Sequence, residues 1–155
     1  MSRYRFIASS YPLPEIDLSG FIRLKVKDIK AMDLQPKGPI PWEEMDDEAD
    51  VLYAEKESDL GGLQIGRCEN PPYDLDIYIQ LPYIYWLEGN FDERWTNQFL
   101  EYAKAKIPAD QSVELWSIWF GDGVQRIAHK HLERGQINSR DLQKWSNGNV
   151  CIHLK

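Results

Sequence analysis

Hydrophobic positions in this chain fall into short runs, and their period switches often between two and about 3.6. Arg3–Ser9 alternates, with Tyr4, Phe6 and Ala8 on one face and Arg5 and Ile7 on the other, so it predicts a strand. Tyr11-Pro12-Leu13-Pro14 ends it, because neither proline can donate to a ladder. Ile22, Leu24 and Val26 alternate with Arg23, Lys25 and Lys27, while Val26, Ile29 and Ala31/Met32 keep helical spacing. A short extended segment leading into a short helix near 26–32 satisfies both patterns. Val51–Ala54 and Leu63–Cys68 read as short strands. Asp74–Leu87 carries the strongest β pattern, with Leu75, Ile77, Ile79 and Leu81 on one face. Pro82 should force an edge or bulge there, and Tyr83–Trp86 would continue the run.

Asp92–Ile107 has the clearest helical stripe, through Trp95, Phe99, Tyr102/Ala103 and Lys106. Asn90 and Glu93 have capping-box spacing, Lys104 and Lys106 suit the negative end of the dipole, and Pro108 is the stop. Val113–Phe120 predicts an aromatic-rich strand. Gly121-Asp122-Gly123 has the composition of a hairpin turn, which makes Val124–Leu132 the returning strand, although Val124, Ile127, Ala128 and Leu132 also fit a helix. Ser139–Trp145 predicts a short helix capped by Asn138 or Ser139, and Val150–Leu154 a last strand with Val150, Ile152 and Leu154 inward. The expected architecture is one α+β domain over residues 1–155. It has a mainly antiparallel sheet of five to seven strands, a main helix (92–107) packed on one face, and short helices near 26–32 and 139–146.

Composition narrows the class. With 43% apolar and 12% aromatic residues, 155 residues can bury a core without disulfides or metal, which excludes disorder. No apolar run approaches the ~20 residues of a membrane span, and no apolar segment follows the basic start, so a cytoplasmic protein without a leader is expected. Two cysteines in such a chain are expected to be free thiols. The formal charge of −7 is local. Residues 1–41 hold seven basic and four acidic side chains, residues 42–60 one and nine, and residues 61–155 ten and twelve. This distribution lacks the basic stripe of a nucleic-acid binder, so no nucleic-acid partner is expected.

Candidate chemistry is sparse. There is no nucleophile elbow and no phosphate-binding loop. Cys68 has only the adjacent Arg67 to lower its pKa, and a half-buried structural thiol is the simpler reading. The histidines form two i, i+2 pairs with a cysteine, His129/His131 and Cys151/His153. If both segments are strands, each pair shares a face, and both can lie on an exposed sheet face. If the strands are also neighbours, these four side chains suit zinc. Solvent-facing polar positions are the simpler alternative, so no metal or other cofactor is assigned from spacing alone. Trp116 and Trp119, three apart in one strand, should face opposite ways, one of them under the main helix.

The acidic block follows a Pro-rich loop at 35–41. Trp42, Glu43, Glu44, Met45, Asp46, Asp47, Glu48 and Asp50 offer carboxylates that would steer a basic protein, with Trp42 and Met45 as apolar anchors. A solvated loop kept soluble by charge is the plain alternative. An EF-hand is excluded, because the block has neither the glycine nor the ligand spacing. Arg3–Ser9, Glu114–Trp119 and the terminal Cys151-Ile152-x-Leu154 strand resemble small leaderless bacterial proteins, similar in size and charge to immunity proteins that neutralise toxins. That resemblance implies a non-enzymatic, protein-binding role, with no catalytic or toxin-contact residue carried over. The expected function is therefore a binding module that occludes a basic toxin. The alternatives are a small metal-dependent enzyme using His129, His131, Cys151 and His153, or a regulatory subunit of a complex.

Overall fold

The computed structural model describes residues 2–31, 44–54 and 57–155. The Pro-rich loop at 35–41, Trp42 and Glu43 lie outside them. In chain order the elements are β1 (Ser2–Ser9), β2 (Ile16–Asp17), β3 (Ile22–Lys25), α1 (Val26–Ala31), β4 (Asp50–Tyr53), β5 (Gln64–Arg67), α2 (Leu75–Tyr78), β6 (Tyr83–Glu88), α3 (Glu93–Lys106), β7 (Val113–Phe120), β8 (Ala128–Leu132), α4 (Ser139–Ser146) and β9 (Val150–Leu154). They divide into two compact units, Met1–Ser19 with Gly61–Lys155, and Gly20–Leu60. No helix among the described residues is long and apolar enough to cross a membrane.

The larger unit is α+β, built on a seven-stranded sheet in the order β2-β5-β6-β1-β7-β9-β8. Every neighbouring pair is antiparallel except β8 and β9, which run parallel. Alternation along β1 sends Ile7 to one face and Phe6 and Ala8 to the other. Ile7, Leu115, Ile152, Tyr85 and Leu87 pack with Trp95, Phe99 and Tyr102 of α3 and with Leu142 and Trp145 of α4. On the opposite face Phe6, Ala8, Trp116, Ile118 and Cys151 pack with Leu75 and Ile79 around α2. Burial of side chains this large on both faces supplies the dominant stabilising term.

The main helix forms where its stripe predicts, but its cap is Asp92, not Asn90. The Asp92 carboxylate accepts a hydrogen bond from the Trp95 backbone N–H at 2.9 Å. Asp satisfies the same orphan donors that a Ser/Thr capping box would. At α4 the expected Asn138 cap accepts from the Asp141 N–H at 3.0 Å.

Two segments depart from expectation. The alternating stretch after Asp74 is not a long strand: Leu75–Tyr78 makes one helical turn, and only Tyr83–Glu88 is β. Leu75 and Ile79, four apart, are buried together, while Ile77 is half exposed. A run spaced i, i+2, i+4 contains the i, i+4 pair of a helix, and Asp74 at φ 70° turns the chain into it. The second departure is the hairpin expected at Gly121–Gly123. β8 begins at Ala128, not Val124, and it does not return along β7. Instead β9 lies between them, antiparallel to β7 and parallel to β8, with α4 as the crossover. A parallel pair requires such a connection, and α4 fits it by burying Leu142 and Trp145 on the sheet. The Trp145 indole also donates to the Leu115 carbonyl at 3.0 Å.

The smaller unit pairs β3 with β4, Ile22 opposite Tyr53 and Lys25 opposite Asp50. α1 continues directly from β3 and buries Val26 and Ile29, as the double pattern predicts. The Asp28 carboxylate accepts from the Lys25 N–H at 3.1 Å, and the Val26 N–H donates to the Ala49 carbonyl at 3.0 Å.

Candidate metal centre

All three histidines of the chain meet on one face of the sheet at its β8 edge. Parallel pairing places His129 opposite Cys151 and His131 opposite His153, and antiparallel pairing places Glu114 opposite His153 and Trp116 opposite Cys151. The sequence left open whether the two His-bearing strands are neighbours; the α4 crossover makes them so.

His129 Nδ1 lies 2.9 Å from His153 Nε2, and Cys151 Sγ lies 3.6 Å from the same Nε2. The three donor atoms all fall within 4.8 Å of one another. In tetrahedral zinc with Zn–N near 2.05 Å and Zn–S near 2.3 Å, the ligand–ligand separations are about 3.4 Å for N···N and about 3.6 Å for N···S. The Cys151–His153 distance already fits, the two imidazoles would part by about 0.5 Å, and the Cys151–His129 separation, within 4.8 Å, would settle near about 3.6 Å. His131 is not the fourth donor. Its ring stacks on His153 at 4.6 Å and 15°.

Burial differs across the group. His129 is exposed, His153 half-buried and Cys151 fully buried. Cys151 therefore does not lie on a solvent face as alternation suggested, because α2 and its neighbours cover that part of the sheet. Burial, with Glu114 nearby, pushes the Cys151 thiol far above its ordinary value, so a metal would have to displace its proton. Burial is also the largest influence on His153 and lowers its pKa. The neighbouring His131, His129 and Lys155 add to that, and Glu114 opposes it. A neutral imidazole is the form that binds metal. His153 Nδ1 lies 3.8 Å from the Glu114 carboxylate, which leaves Nε2 for the ion, as in carboxylate–histidine–metal arrangements. Glu114 was not singled out from the sequence, though its place two before Trp116 in an alternating strand puts both on this face. The Trp116 ring stands edge-on to His129 at 5.8 Å, and its buried indole N–H has no hydrogen-bond partner among the described residues.

Other sequence candidates fare differently. Cys68 and Cys151 are free thiols. Arg67 does not activate Cys68; burial raises that thiol to about 11. Neither Trp116 nor Trp119 lies under α3. Trp116 belongs to the opposite core, and Trp119 donates to Asp122 at 2.7 Å beside the Arg3 guanidinium. In the acidic segment Glu48 is held by Lys25 and Lys27 at 3.0 and 2.9 Å, and Asp47 by Lys30 at 2.6 Å. Asp46 turns its carboxylate to the Glu48 N–H at 2.9 Å. Met45 is half-buried, and Glu44 and Asp50 are exposed.

No known family, curated protein or solved structure matches this chain, so the chemistry of the site rests on its own residues.

Proposed function

We propose that this chain is a zinc-binding protein of the small metal-dependent enzyme type, with His129, Cys151 and His153 as ligands. The observation that carries the reading is the convergence of these three donor atoms from two neighbouring strands. One thiolate and two imidazoles form a borderline-soft set that suits zinc. Three protein ligands leave a fourth position for water, as catalytic rather than closed structural zinc does, and exposed His129 gives that position access to solvent. Zinc there would supply a bound water acidic enough to ionise near neutral pH. Glu114 would orient His153, and the buried Trp116 wall would exclude water from the sulfur.

Untagged protein loaded with zinc and desalted should retain close to one equivalent by elemental analysis. Cobalt(II) in its place should show a thiolate charge-transfer band that Cys151→Ser abolishes and Ser in place of Cys68 does not. Retention below about a tenth of an equivalent in the intact, folded protein would overturn the reading.

A second reading keeps the protein-binding role, of the immunity type, for the acidic segment. It is supported by Glu44, Asp46 and Asp50, which take no lysine among the described residues and remain exposed. Charge reversal at these three positions should slow association with a basic protein partner at low salt; an unchanged association rate would dismiss it.

A further inference from the structure

A cavity lies away from the histidines, between the end of β7 and the Pro72–Tyr78 segment. It measures about 280 Å³ and is lined by Tyr73, Asp74, Tyr78, Phe120 and Val124 among others. Within that lining Tyr78 and Phe120 meet edge to face, with ring centroids 5.9 Å apart and planes at 83°. Both rings make further contacts. The Tyr78 hydroxyl accepts the Gln125 N–H at 2.7 Å, and Phe120 packs on Tyr4 and Phe6. Tyr73 stands 88% exposed at the rim, a large aromatic that no described residue covers. Beside it Asp74 holds a left-handed backbone at φ 70°, and its carboxylate makes no hydrogen bond or ion pair among the described residues.

We infer that this cavity binds a small alkylated ammonium ion, choline-like in size and charge. Aromatic faces carry negative quadrupole density and attract a cation held above them, most strongly one whose methyl groups make it cheap to desolvate. Asp74 supplies the counter-charge. An anion would meet the Asp74 carboxylate and be repelled. A neutral apolar molecule would fill the walls and leave Asp74 unanswered. The volume lies at the small end of ligand cavities, which suits a cation of a few heavy atoms. None of these residues belongs to the His129–Cys151–His153 group, so this site stands or falls independently of the metal reading.

Titrating full-length protein with choline, followed by aromatic proton NMR, should give saturable shifts on Tyr73, Tyr78 and Phe120. The uncharged isostere 3,3-dimethylbutan-1-ol should bind about tenfold more weakly. Asp74→Asn should cost about fivefold in choline affinity, and Tyr73→Ala should weaken choline binding measurably. Both residues are exposed, so thermal melts should stay unchanged and separate lost binding from lost folding. Equal affinity for choline and the alcohol would overturn recognition by charge, and absence of saturation in the millimolar range would overturn the site. Binding of a trimethyl-lysine peptide without binding of choline would replace the small molecule with a protein side chain and equally defeat the proposal.

Discussion

At the scale of single residues, position in the tertiary fold decides roles that residue type leaves open. Gly89 reads in sequence as turn punctuation before the main helix. In the fold its φ is +138°, and a Cβ there would run into the Trp95 indole and the Gly62 carbonyl. That indole is also tied down, donating to the Glu88 carbonyl at 2.9 Å. Gly89→Ala should therefore cost ~2 kcal/mol or more, through backbone strain and displacement of a fully buried tryptophan. The urea midpoint should fall with little change in slope. Gly135→Ala is the control, since a Cβ at Gly135 meets nothing within 4 Å, and its midpoint should hold. The same dependence on place separates the two cysteines. Arg67, adjacent in sequence, does not set the Cys68 pKa; the apolar packing around that thiol does.

Among the elements, periodicity identified those whose partners bury one clean stripe. α3 satisfies a single period over 14 residues, and little else could be made of it. β1, β7 and β9 are equally legible, because alternation survives whichever strand lies beside them. The failures fall on short segments. Leu75–Leu81 satisfies two periods, and the α2 turn is chosen by what covers the sheet. Among the described residues β8 is the element most exposed to solvent, pairs only with β9 and shows four exposed residues out of five. An edge strand held this lightly should open locally more readily than the core. If zinc bridges His129 to Cys151 and His153, it joins β8 to β9 through side chains as well as the ladder. Amides of Ala128–Leu132 should then exchange more slowly with zinc, by up to about 100-fold when free zinc is about 100 times Kd. Amides in α3, remote from the site, should be less affected. Unchanged exchange in β8 with one zinc bound would place the ion elsewhere.

For the molecule as a whole, the α4 crossover has the largest consequence. It takes the last strand of the chain and lays it between β7 and β8, with Cys151, Ile152 and Leu154 nearly inaccessible. Deleting residues 150–155 should therefore abolish cooperative unfolding and near-ultraviolet circular dichroism of the larger unit. A dispensable edge strand would leave both intact. In the smaller unit, Lys25, Lys27 and Lys30 offset part of the acidic segment, so the negative field there is weaker than the count of carboxylates implies. Ion pairs at such exposed positions add little to stability and are screened by salt.

By itself the sequence determined the α+β class, the main helix, the α4 cap, most strands and the two His-bearing pairs, because each follows from local period, capping or face alternation. It contained every ligand of the candidate metal centre without saying that they meet. Strand order, the parallel β8–β9 pair, the burial of Cys151 and the approach of Glu114 to His153 were decided only in the tertiary structure. Alternation fixes which face a side chain takes, but not which strand lies next to it. That neighbour is selected by where α4 buries Leu142 and Trp145, a nonlocal packing choice.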